Sequence, residues 1–317
     1  MCGLQQENRL LNGGKRIADN RIKLIVMGVE KMSVQKISWP KNANCAALFT
    51  VNLCAEYFWL GMFPDSINRP KTLSMGQYGM KRGLKRVLDA FERYGIKGTF
   101  FIPGKVVEIY PDEVNEIVKK GHEIGLSGYE YENFASLTVE RQEEALEKGI
   151  YAFKNVCNLR PEGFRAPNGE ITIDTIDLLI KFGFKYSSSM FSDDRPYFSS
   201  YKPNQKDMLE IPIHWELNDF PLFAFNYYPS FPLGQGRISN YTSVLDSWIN
   251  EYKAYYKYGL CYVTQFDPST IGTPGRIRLL EELLDYIVRT DKVYIATCNE
   301  VADFCNNSMD KIEYRSC

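Results

Sequence analysis

The stretch Lys120-Gly-His-Glu-Ile-Gly-Leu-Ser-Gly-Tyr-Glu-Tyr-Glu132 decides how this chain is read. It follows a short apolar segment, Lys97-Gly-Thr-Phe-Phe-Ile102, and a segment from Pro111 to Lys120 whose pattern predicts a helix. The stretch therefore reads as the next strand, running out into a glycine-bearing loop. In parallel α/β proteins the carboxyl ends of the strands open onto one shared pocket, and reactive side chains gather there. Ser127, Glu130 and Tyr131 are delivered to that edge.

Toward the N-terminus, Cys45-Ala-Ala-Leu-Phe-Thr-Val-Asn-Leu53 is a mostly apolar run of strand length, the pattern of a strand buried on both faces. Leu84, Val87, Leu88 and Phe91 then fall at helical spacing between Gly79 and Tyr94, and Gly95 closes that helix. Residues 1–38 are polar and poorly periodic and read as an N-terminal extension, an arm or a disordered segment. Toward the C-terminus, Thr138 caps a helix reaching Cys157, and Asp174 to Phe182 is amphipathic. Strands are predicted at Tyr186–Met190, Leu209–Glu216, Cys261–Thr264 and Val293–Thr297, with helices at 239–258 and Arg276–Val288. Strand and helix alternate, so the expected fold is α/β, one parallel barrel-like domain over residues 39–305 with a tail at 306–317. An open doubly wound sheet is the alternative, but no glycine-rich phosphate fingerprint follows the first strand.

Composition narrows the function. With 38 Lys+Arg against 39 Asp+Glu the net charge is -1, which gives no footing for nucleic acid. A small polar molecule is the expected ligand. Eight cysteines at positions 2, 45, 54, 157, 261, 298, 305 and 317 form no CxxC pair, so neither a zinc ribbon nor a disulfide framework is indicated. They fit free thiols in a reducing cytosol, and a cytoplasmic location is expected. The apolar run Ile22 to Val29 is broken by Lys23 and is too short to span a bilayer, so no membrane association is expected. The 21 Tyr, 19 Phe and 4 Trp fit a large core and subunit contacts, and hence a homo-oligomer.

If the strand ends face one pocket, they bring Asn52, Cys54 and Glu56 together with Ser127, Glu130 and Tyr131. Later strands add Arg165, Asn168, Ser187, Asp193, Asp194, His214, Trp215, Glu216, Gln265 and Asp267. The set is rich in carboxylates and hydroxyls, but the chain has only two histidines, His122 and His214. A catalytic zinc requires three N, O or S ligands plus an open position for water. Neutral Ser127 and Tyr131 are weak ligands, so neither a metal nor another cofactor is expected.

From about Ser38-Trp39-Pro40-Lys41 to Cys305 the chain resembles the polysaccharide deacetylase (NodB-homology) family, in the branch of peptidoglycan-deacetylase-like and allantoinase-like proteins. The words that carry the resemblance are Gly95-Ile-Lys-Gly-Thr-Phe-Phe-Ile-Pro-Gly104, Gly121-His-Glu-Ile-Gly125 with Gly128-Tyr129, Gly163-Phe-Arg-Ala-Pro167, Asp193-Asp-Arg-Pro-Tyr197, Glu210-Ile-Pro-Ile-His-Trp-Glu-Leu217 and Ile271-Gly-Thr-Pro-Gly-Arg276. The resemblance implies a distorted (β/α) barrel. It also implies a metal site that these residues do not reproduce. Where the family carries an Asp-x-Asp pair, a base and a metal ligand, this chain has Asn52 and Cys54. Where it carries two metal histidines, Ser127 and Tyr131 stand; the late acid histidine is Asp267, and the Asp of the Tyr-Asp-Ser words is Ser187. Arg165 of the Arg-x-Pro words is kept.

An amide is essentially nonbasic, so Asn52 cannot serve as a proton acceptor. One reading is a remodelled, metal-independent enzyme acting on carbon–nitrogen bonds. Glu56, Glu130 or Asp267 would do acid–base work and Cys54 would be a candidate nucleophile. Arg165 would hold a carboxylate or an oxyanion, with Asn52, Ser127, Tyr131, Asn168, His214 and Trp215 binding the substrate. The other reading is a pseudoenzyme, a binding or scaffolding subunit. Structural roles are open too: Cys54 as a small buried thiol, and Arg165 as a fastener of loops through Glu56 or Asp194.

Overall fold

Strand β1, Cys45–Asn52, is the axis of the sheet, and its first seven residues are buried. In the computed structural model, residues 37–200, 207–234, 238–308 and 313–315 are described. The predicted N-terminal extension lies outside the described residues up to position 36. Residues Ser38–Cys317 form one compact unit. Strand β1 pairs in parallel with β8 (Cys261–Phe266), from Ala46 opposite Cys261 to Val51 opposite Phe266. Its C-terminal half pairs with β2 (Thr99–Ile102), and its first residues pair with β9 (Val293–Ile295). From β2 the sheet continues in parallel through β3 (Glu123–Leu126), β4 (Gly163–Phe164), β5 (Tyr186–Ser187) and β7 (Met208–Glu210). Helices surround this curled, mostly parallel sheet, the distorted (β/α) barrel that the sequence leads one to expect.

Two differences from the sequence reading have physical causes. A strand β6 (Tyr197–Ser200) runs antiparallel to β7, and Glu313–Arg315, which the sequence leaves in a tail, adds to β6 as β10. Three- and four-residue strands carry too little alternation to be read. The strand predicted to reach Glu216 stops at Glu210 because Pro212 has no N–H to give the ladder; the Ile211 and Ile213 amides still reach the carbonyls of Ser187 and Met190.

The helix Pro70–Tyr78 passes through a wide π-type turn, Gly79–Gly83, into the helix Leu84–Arg93. Val87, Leu88 and Phe91 are fully buried, and burying each such side chain contributes about 1.5–3 kcal/mol. The glycine face of this rod lies on two loops. A methyl group at Gly76 would collide with the Ala55–Glu56 peptide, and one at Gly83 with the Pro268 carbonyl. Among the described residues no helix is long and apolar enough to cross a membrane.

Candidate functional site

At the carboxyl ends of the strands lies a cavity of about 320 Å³. β1 delivers Asn52 and then Cys54; the loop after β3 delivers Ser127 and Tyr131; β4 runs out into Arg165 and Asn168; β8 ends at Gln265 and Asp267. Phe58, Phe220, Phe231 and Trp215 supply the apolar part of the wall. Phe58 is the centre of this aromatic group, with its ring 4.5 Å from that of Phe220 and 5.5 Å from that of Tyr131. The roof is tied down on its far side, where Asn226 accepts from Lys71 and donates to Thr72.

Arg165 is buried and fixes the floor. Its Nε donates to the Ser188 carbonyl at 3.0 Å and its Nη2 to Ser188 Oγ at 2.8 Å, while Nη1 donates to Thr50 Oγ1 at 2.7 Å and Asn52 Oδ1 at 3.0 Å. The guanidinium lies 4.0 Å over the Phe101 ring. Burial lowers its pKa to about 10. Arg165 thus fastens β1, β4 and the loop after β5 through hydroxyls, an amide and a carbonyl, and neither Glu56 nor Asp194 is its partner.

Asp267 is the carboxyl group of the cavity. Its Oδ1 accepts from the Ser269 amide at 2.7 Å and from Ser269 Oγ at 2.5 Å, and the Thr270 amide lies beside the carboxyl group. Burial pushes its pKa up to about 6. Behind it sits Asp219, fully buried, which accepts from the Asp267 amide at 2.9 Å and from the Thr270 hydroxyl. Burial, with Asp267 beside it, holds Asp219 well above the usual carboxylate range. Nothing in the sequence marks Asp219, because its role is set by a loop that folds back across the strand ends.

Glu210, at the end of β7, is the second carboxyl that the sequence reading leaves without a role. It is fully buried; Oε1 accepts from the amides of Ser189 and Met190, and Oε2 has no hydrogen-bond partner among the described residues, although the Ser187 hydroxyl lies beside the carboxyl group. Burial raises its pKa from 4.5 to about 7. The folded state therefore holds this proton more tightly than the unfolded chain. The stability it contributes is present below pH 4.5 and is lost as pH rises through about 7. Glu210→Gln keeps the acceptor and removes the charge, so we expect it to raise stability by about 2 kcal/mol at pH 8 and by little at pH 4. Denaturant melts at both pH values check this, and equal effects at the two would contradict it.

Other predicted site residues divide cleanly. Cys54 is on the wall, but burial, with Asp267 next, pushes its thiol well above the ordinary range, which keeps it protonated and works against a nucleophilic role. Tyr131 is buried with φ 68°, and burial and its neighbours Cys54 and Asp267 hold its phenol well above the ordinary range. Glu56 is not on the wall: its carboxylate accepts from the Tyr110 hydroxyl at 2.8 Å. Glu130 is exposed and turned outward in a loop tied by Glu132, which accepts from the amides of Tyr129 and Glu130. His214 is beside the wall rather than on it. Its Nε2 lies 3.1 Å from Asp194 Oδ1 without hydrogen-bond geometry, and its carbonyl accepts from Gln265 Nε2. Asn218 and Ser189 line the cavity without having been singled out.

Among the described residues no three His, Cys, Asp or Glu side chains form a group that could hold a metal ion. At the four positions where the family resemblance implies a base and three ligands, the wall offers an amide, a single cysteine and two hydroxyls. That donor set does not suit Zn²⁺, which takes thiolate, imidazole and carboxylate.

Comparison with known proteins agrees with the fold. The family profile for polysaccharide deacetylases matches residues 76–187. A peptidoglycan deacetylase of Helicobacter pylori is 28% identical over 280 residues, covering 80% of this chain and 94% of the relative. The crystal structure of PuuE allantoinase shares the fold, with a TM-score of 0.73 at 20% identity, covering 86% of this chain and 94% of that one. A Mycobacterium smegmatis protein whose crystal structure carries a provisional polysaccharide deacetylase label has a TM-score of 0.81 and 30% identity, covering 86% of this chain and 93% of its own. At that identity over nearly the whole of that structure, this chain belongs to the polysaccharide deacetylase family.

Proposed function

We propose that this chain is a metal-independent enzyme that binds a small polar molecule in the family cavity and uses Asp267 for acid–base chemistry at a carbon–nitrogen bond. The observation that carries this reading is the Asp267 carboxyl on the cavity wall, with Oδ1 tied to Ser269 and a pKa of about 6. A carboxyl titrating near the working pH can take a proton and return it. Ionised Asp267 would accept a proton from water as the water oxygen bonds to the acyl carbon. It would then give that proton to the departing nitrogen as the carbon–nitrogen bond breaks.

The test is release of amine from N-acetylated amino sugars and small acylamides in the presence of a chelator. Wild type is expected to turn over with the chelator present, with a pH limb near 6, and Asp267→Asn to lose about 100-fold or more in kcat/KM. Asp267→Asn removes a buried charge and keeps an acceptor for Ser269, so it should melt no lower than wild type, which separates lost chemistry from lost fold. A variant as active as wild type would overturn the reading. The second reading, a binding or scaffolding pseudoenzyme, is supported by Asn52, a nonbasic amide whose oxygen is already held by Arg165. No turnover by wild type in any of these assays would favour it.

A further inference from the structure

The hydrogen-bond polarity of the cavity floor is reversed relative to a site built on an aspartate. Arg165 is a donor only, so the atom of Asn52 that it meets at 3.0 Å must be the carbonyl oxygen. The carboxamide is planar, and its Nδ2, which has no acceptor among the described residues, is the atom left for the cavity. Arg165 carries five N–H groups and donates four of them internally, which leaves one Nη2 proton without an acceptor among the described residues. The hydroxyls of Ser127 and Tyr131 and the amide nitrogen of Asn218 also have no partner among those residues, and all line the same cavity. Arg165 is a buried cation with no carboxylate within ion-pair distance among the described residues.

Resting on the reading that this cavity binds a small molecule, we infer that Asn52 Nδ2, the free Arg165 N–H and the Tyr131 and Ser127 hydroxyls form an anion-accepting cluster that seats a carboxylate group of the ligand. A carboxylate satisfies several donors at once, and its charge is matched by Arg165. The aromatic part of the wall, Phe58, Phe220 and Phe231 with Trp215 at the rim, fits a flat apolar body attached to that carboxylate. The site thereby selects an acid over its amide or ester.

Benzoate and its neutral counterpart benzamide are suitable probes, titrated against the full chain by ligand-observed NMR. Benzoate is expected to bind saturably and benzamide at least about tenfold more weakly, the worth of one charge-assisted hydrogen bond. Asn52→Asp puts an acceptor and a negative charge where the donor stood, and should weaken benzoate by about tenfold or more. Asn52→Ala, which removes the donor without adding charge, should show a smaller loss, and unfolding curves show whether either variant is folded. No saturable benzoate binding, equal binding of benzamide, or an Asn52→Asp variant that is folded and binds as wild type does would each overturn the inference. Asp267→Asn removes the negative charge that shares the cavity with the seat and should bind benzoate at least as tightly as wild type. Failure of the acid–base reading, seen in turnover, is thus distinguishable from failure of this one, seen in binding.

Discussion

Arg165→Ala is expected to destabilise the protein by about 3–5 kcal/mol, close to half of what a domain of ordinary stability has. The residue is 3% exposed, and its loss strands Asn52 Oδ1 and both oxygens of Ser188 in a space that water reaches poorly. Each buried acceptor left unmet costs about 1–3 kcal/mol, and the hole over Phe101 adds a cavity cost. The Thr50 hydroxyl keeps its bond to the Thr264 carbonyl, so that partner survives. Arg165→Met refills the volume without the charge. Because no carboxylate among the described residues pairs with Arg165, removing the charge strands no ion there, and Met should recover a good part of the loss. Denaturant unfolding of the two variants measures this. A loss below about 1 kcal/mol for Arg165→Ala would show that the floor does not depend on the guanidinium.

A gain of metal binding is the second large effect. The combined replacement Cys54→Asp, Ser127→His and Tyr131→His places one carboxylate and two imidazoles on the wall of a single cavity, at the positions where the family resemblance implies metal ligands. Three such ligands with a fourth position open to water make a catalytic zinc site. Tyr131 has φ 68°, and histidine enters that left-handed region more readily than most residues. Without metal the variant should be less stable than wild type, since Cys54 is 5% exposed and an aspartate there carries an unpaired charge. Zinc should restore stability by mass action and remain at one equivalent per chain after gel filtration. Elemental analysis and melting curves with and without zinc check it, and a variant that melts at the same temperature in both would sink the idea.

Much of the site was legible because its side chains stand immediately after recognisable strands or motif words. Asn52 ends an eight-residue strand, and Arg165 and Asp267 follow strands that pair in register with it or its neighbours. Glu56 misled because Ala55 adopts φ 48°, which turns the chain so that Glu56 meets Tyr110 instead of the cavity. Glu130 misled in the same way, between positive-φ Gly128 and Tyr131. Local backbone reversals of this kind leave no periodic trace. Asp219, Asn218, Ser189 and Glu210 were invisible for another reason. They are placed by two- and three-residue strands and by a loop that returns over the sheet, contacts made between positions far apart in sequence.

The glycine-faced rod from Pro70 to Arg93 carries a consequence for how such a chain can change. It touches the loop after β1 at Ala55–Glu56 and the loop after β8 at Pro268–Ser269, backbone against backbone. The gap between these loops is therefore braced from behind, by main-chain shape. Asn52, Cys54 and Asp267 stand on loops whose separation the rod holds from behind. Substitutions that swap donors for acceptors in the cleft leave these backbone contacts, and with them the spacing of the two loops, in place.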